Sequence, residues 1–70
     1  MKRTALEFVV DASMKGRVEE RLRYTAGEAL ARLIVAPVDG TPRYKITAVV
    51  SDAMAAAVMK AVMNELDKSG

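Results

Sequence analysis

Polar and apolar positions alternate over residues 4–10: Thr4, Leu6, Phe8 and Val10 point one way, Ala5, Glu7, Val9 and Asp11 the other. A period of two carried by Phe and Val predicts a strand. From Ser13 the period changes. Met14, Val18, Leu22, Ala26, Ala29 and Leu33 recur at spacings of three, four and seven. This predicts a helix over about residues 14–31, with Ser13 placed to cap it. Glu19 and Arg23, and Glu28 and Arg32, stand four apart in the favourable order. Two features oppose one long helix. Gly16 and Gly27 each cost roughly 1 kcal/mol relative to Ala inside a helix. Thr25-Ala26-Gly27-Glu28 is also a capping-box pattern, the start signal of a separate helix. The alternative reads residues 17–24 as a strand, with Val18, Leu22 and Tyr24 on one side. Glu-Glu-Arg-Leu-Arg at 19–23 is better helix than strand composition, and the helix is preferred.

Residues 33–38 are rich in Leu, Ile and Val, and Asp39-Gly40-Thr41-Pro42 is a strong turn cluster. Residues 43–50 alternate again, with Tyr44, Ile46, Ala48 and Val50 facing in. The two runs predict a hairpin with a loop of about four residues. Pro37 cannot donate to a ladder, which puts the second strand at a sheet edge. Ser51-Asp52 can cap a last helix over residues 53–67, Ala- and Met-rich and without a breaker, ending in Lys68-Ser69-Gly70.

The order is β-α-β-β-α, an α+β class. Two helices cover one face of a three-stranded sheet, and a right-handed crossover followed by a hairpin favours the strand order 1-3-2. The alternative is β-β-α-β-α with an N-terminal hairpin. In the 1-3-2 order the first strand keeps one unpaired edge, guarded only by Glu7 and Asp11. Proline at Ala5 and at Glu7 is expected to remove donors on opposite sides of that strand.

Seventy residues make one domain, and a domain this short buries only about 60% of its unfolded surface. Without Cys or His, disulfides and the commonest metal ligands are excluded as staples, which leaves oligomerisation. The basic start Met1-Lys2-Arg3 is followed by an apolar stretch interrupted at Glu7 and Asp11 with no cleavage site, and residues 53–63 are too short to span a bilayer. The expected location is the cytoplasm, with no membrane partner.

Nothing in the sequence assembles a catalytic site. The hydroxyls of Ser13, Ser51, Thr4, Thr25, Thr41 and Thr47 sit where caps, turns and strands use them, and there is no His to activate them. Glu19 and Glu20 diverge by about 100° on a helix and form no acid/base pair. The glycines match no phosphate loop. No enzyme activity, metal or cofactor is expected.

Net charge is only +2, but it is uneven: residues 1–45 hold nine Lys/Arg against six Asp/Glu, and residues 46–70 two against three. On the expected first helix, Arg17, Arg21 and Arg32 fall within about 60° of one another. Arg43 and Lys45 flank Tyr44 on the third strand. These five are candidate anion-binding residues. Glu28 lies inside the stripe and Tyr24 is the one aromatic placed for base stacking, so a solvated, salt-bridged face is the preferred reading. The last helix carries two apolar faces. Met54, Val58, Ala61, Val62 and Leu66 form one; Ala55, Ala56, Met59 and Met63 form the other, and Lys60 is the only charge among residues 53–63. A lone surface helix should have a wet side, and Met suits adaptable binding surfaces.

No motif carries a family resemblance, and element order alone is shared by unrelated functions. The expected function is a non-enzymatic interaction module: a homodimer that acts by binding another protein, in the manner of small phage or bacterial inhibitors and regulators. The expected interface residues are Met54, Ala55, Met59 and Met63 on the last helix and Leu6, Phe8 and Val10 on the first strand. The alternative is a nucleic-acid-binding module using the basic face of the first helix.

Overall fold

The computed structural model describes residues 2–68. The chain runs through strand β1 (Arg3–Asp11), helix α1 (Ala12–Ala26), a single 3-10 turn (Gly27–Ala29), strands β2 (Leu30–Val38) and β3 (Arg43–Ser51), and helix α2 (Asp52–Lys68). The strands form one antiparallel sheet in the order β1-β3-β2, and both helices lie on one side of it. The expected order 1-3-2 is the observed one, and residues 17–24 are helix, so the alternative N-terminal hairpin does not form. Ser69 and Gly70, expected to close the last helix, lie outside the described residues.

The first helix is shorter than its apolar period implies. It stops at Gly27, whose φ of 53° and ψ of −125° lie where only glycine is comfortable, and whose N–H donates to the Arg23 carbonyl. The capping-box pattern at 25–28 therefore yields one 3-10 turn, and the chain enters β2 three residues before Leu33. Arg32 consequently leaves the helix and becomes a strand residue. At the other end the cap is Asp11, whose side chain makes no capping hydrogen bond, while Ser13 is already inside the helix. The Ala12 N–H is satisfied by the Pro42 carbonyl at 2.9 Å. Pro42 closes the four-residue loop in which Gly40 takes φ 75° and Thr41 donates to the Val38 carbonyl from both its N–H (3.2 Å) and its hydroxyl (2.9 Å).

The core is entirely apolar among the described residues. Leu6, Phe8 and Val10 of β1 and Ile46, Ala48 and Val50 of β3 meet Met14, Val18, Leu22 and Ala26 of α1 and Val58 and Val62 of α2. Leu30, Leu33, Val35, Met54, Ala55 and Leu66 pack around them, half-buried. Among the described residues nothing covers the opposite sheet face, and the molecule is a slab 14 Å thick along its shortest axis.

The β1–β3 register fixes which backbone groups remain unpaired. Asp52 N–H donates to the Lys2 carbonyl (3.1 Å) and Ala12 N–H to the Pro42 carbonyl, so pairs 2/52 and 12/42 are of the hydrogen-bonded type. Such pairs alternate along an antiparallel ladder. Thr4, Leu6, Phe8 and Val10 thus turn their N–H and C=O to β3, and Arg3, Ala5, Glu7, Val9 and Asp11 turn theirs outward. Ala5 and Glu7, two residues apart, therefore face the same side, contrary to the expectation that proline there would separate the two sides; the informative pair is Ala5 and Leu6. On the far side, the same alternation puts Leu33, Val35 and Pro37 on the outer edge of β2, so the missing N–H of Pro37 falls where no ladder needs it.

This phase is testable by proline substitution in dilute protein. Leu6→Pro breaks a ladder bond and strands a buried acceptor, costing at least about 1–3 kcal/mol. Ala5→Pro removes an outward donor and should change unfolding free energy by less than about 1 kcal/mol. Chemical denaturation checks both; equal losses would contradict the register.

Candidate functional site

The uncovered sheet face gathers most of what the helices leave exposed. Cross-strand pairing places its side chains in rows: Ala5, Val49 and Arg32; Glu7, Thr47 and Ile34; Val9, Lys45 and Ala36; Asp11, Arg43 and Val38. Val9 is 56% exposed and Ile34 46%, large values for β-branched apolar residues. Around them Lys45 Nζ meets Glu7 at 3.1 Å and Arg43 Nε meets Asp11 at 3.6 Å. Among the described residues the face mixes Ala, Val, Ile and Thr with interleaved charges of both signs and carries no aromatic ring.

The helix side carries a different feature. Arg17, Glu20, Arg21 and Tyr24 of α1 and Glu65 of α2 line an open depression of about 440 Å³. Arg21 reaches Glu65 at 3.5 Å, and Lys68 approaches the same carboxylate oxygen at 3.8 Å. Tyr24 stands largely in solvent. Glu19, expected to support Arg23, instead meets Lys15 at 3.9 Å, and the Lys15 ammonium lies 5.1 Å from the ring centre of Tyr44. Among the described residues no three His, Cys, Asp or Glu side chains gather where they could hold a metal ion, and no buried polar side-chain atom lacks a partner.

The five candidate anion-binding residues are not brought together. Arg17 and Arg21 lie on the helix side with Glu20 and Glu65 beside them, while Arg32, Arg43 and Lys45 lie on the uncovered sheet face. The stripe dissolves because the helix ends at Gly27, and two of the three sheet cations sit against carboxylates.

The interface candidates also divide. Leu6, Phe8 and Val10 are buried in the chain's own core and face β3 with their backbone, so what the outer edge of β1 exposes comes from Ala5, Glu7 and Val9. Met54 and Ala55 are half-buried against the core. Met59 (37% exposed) and Met63 (53%) remain open. Glu65 marks the side of α2 that faces α1. Met59 and Met63 lie about 120° and 160° round the helix from it. Since α2 packs on β1 and β3 whereas α1 also reaches β2, that flank overlooks the outer edge of β1. The signal missed in the sequence was the uncovered sheet face. The alternation in β1 and β3 names its residues there, and the four-residue loop that sets Val38 opposite Arg43 brings Ile34 opposite Thr47, while the register shift between Leu30 and Arg32 displaces only the start of β2.

No known protein family matches the chain, and no curated protein or solved structure is detectably similar to it. No helix among the described residues is long and apolar enough to cross a membrane.

With its cations split between two faces, the protein should bind generic duplex DNA or RNA no tighter than about 1 μM at physiological salt, the weak range of non-specific binding. Fluorescence anisotropy checks this. Tighter, salt-sensitive binding that falls with Arg17→Ala plus Arg21→Ala, or with Arg43→Ala plus Lys45→Ala, would contradict it.

Proposed function

We propose that the chain is a non-enzymatic interaction module, a homodimer that acts by binding another protein through its uncovered sheet face. The observation that carries this reading is the pair of exposed β-branched residues, Val9 and Ile34, on a sheet face that neither helix covers. Exposed apolar side chains interleaved with charges of both signs can be matched by a protein surface of complementary charge. Glu7 and Asp11 interrupt its positive charge, which disfavours a phosphate backbone, and it lacks the aromatic rings that stack nucleobases. The partner that fits has apolar side chains interspersed with charges of both signs. The small regulators and inhibitors suggested by the chain's size work in this way, by occupying a surface of another protein.

The test compares tagged baits in extract of the native host. Ile34→Glu should keep the fold and lose proteins that the wild-type bait retains, whereas Tyr24→Ala, on the helix side, should keep them. Nuclease treatment should leave the captured set unchanged. Capture that survives Ile34→Glu, or that vanishes with nuclease, would overturn the reading.

A further inference from the structure

The two sheet edges are protected very differently. The outer edge of β2 is interrupted by Pro37, which has no N–H, and by the register shift near Ala31. The outer edge of β1 has neither. Five residues, Arg3, Ala5, Glu7, Val9 and Asp11, present N–H and C=O outward in an unbroken run without proline or bulge. Such an edge is a template for another strand. We infer that its occupant is β1 of a second copy, paired antiparallel about Glu7 to make a continuous six-stranded sheet. The inference rests on the homodimeric part of the reading above and names its seam.

Three features of β1 select a second copy. The first is charge. Only residues whose backbone faces outward can form the hydrogen-bonded pairs of the seam, which restricts the register to odd positions opposite odd positions. The register that uses the whole of β1 sets Arg3 opposite Asp11, Ala5 opposite Val9 and Glu7 opposite its own equivalent. Both ends then carry an opposite-charge pair, and the two small apolar residues meet between them. At the twofold axis each Glu7 is already held by Lys45 of its own chain at 3.1 Å, which offsets the one like-charge contact.

The second feature is the phase of the other face. The same register sets Leu6 opposite Phe8 and Thr4 opposite Val10, continuing the buried layer across the seam. The third is the helix layer. A twofold axis perpendicular to the sheet keeps all four helices on one side. Because α2 sits over β1 and β3, the two copies of α2 lie about two strand spacings apart, roughly 10 Å. That is the separation at which helices pack. The flanks that meet there carry Met59 and Met63, flexible side chains suited to filling an irregular gap.

The chain contains no cysteine, so single-cysteine variants report the seam cleanly. A hydrogen-bonded antiparallel pair has Cα atoms about 5.5 Å apart, within disulfide reach. At low micromolar concentration under mild oxidation, Glu7→Cys should link to itself. Ala5→Cys and Val9→Cys should link to each other when mixed and not to themselves, and Glu20→Cys on α1 should give no linked species. By sedimentation, the wild type should be a dimer. Arg3→Asp and Asp11→Arg alone should each weaken self-association by about tenfold or more, and a mixture of the two should recover a heterodimer. Circular dichroism on each variant confirms that the fold persists. A wild type that stays monomeric at several hundred micromolar overturns the seam. So does a dimer in which Glu7→Cys does not link to itself, or one in which links form between positions 5 and 7 or 7 and 9. None of these outcomes alters the Ile34→Glu comparison, which judges partner binding independently.

Discussion

The structure depends on the burial of Ile46, Ala48 and Val50 beneath both helices. These side chains of β3 are fully buried, as are Val18, Leu22, Val58 and Val62, which cover them. A strand in that position must be central, because both helices have to reach it. β3 is accordingly laddered on both sides, and β1 and β2 are edges. Among the described residues both helices lie over the same face of the three strands, and no element covers the other face. The surfaces available for function follow from the same packing: one bare face and two edges.

Those surfaces are not treated alike. The edge of β2 carries the proline and the register shift, the devices that discourage a further strand. The edge of β1 carries Glu7 and Asp11, which moderate pairing without forbidding it, and it lies beside the helix flank that exposes Met59 and Met63. The bare face carries apolar residues and paired charges in the same rows. In the proposed dimer, association would add buried surface to a domain of 70 residues that has no disulfide. The proposed β1 seam would leave the bare face free and double its width, so the proposed self-association and partner binding would use different parts of the molecule.

Much of this was legible in the sequence. The alternation in residues 4–10 and 43–50, the turn cluster at 39–42 and the breaker-free run at 53–67 each have a strong local cause, and the strand order follows from crossover handedness and hairpin proximity. What was not legible depends on single torsions and on register. The apolar period Met14, Val18, Leu22, Ala26 continues formally to Leu33, and only the backbone of Gly27, in a conformation most residues avoid, breaks it. That break moved Arg32 from a basic helix stripe to a sheet face and dissolved the anion site. Likewise, Leu6, Phe8 and Val10 read as edge-strand residues open to a partner. Their side chains are needed in the core, and the phase of the ladder gives the edge to Ala5, Glu7 and Val9 instead.

The most direct test of that phase, and of what occupies the edge, is amide hydrogen exchange of β1 followed by NMR across a dilution series. The amides of Leu6, Phe8 and Val10, bonded to β3, should be protected at every concentration. Those of Ala5, Glu7 and Val9 should be protected in concentrated protein and lose protection together as the protein is diluted through its dimer dissociation constant. Protection of the odd-numbered amides that does not change with concentration, or rapid exchange of the even-numbered ones, would contradict the account.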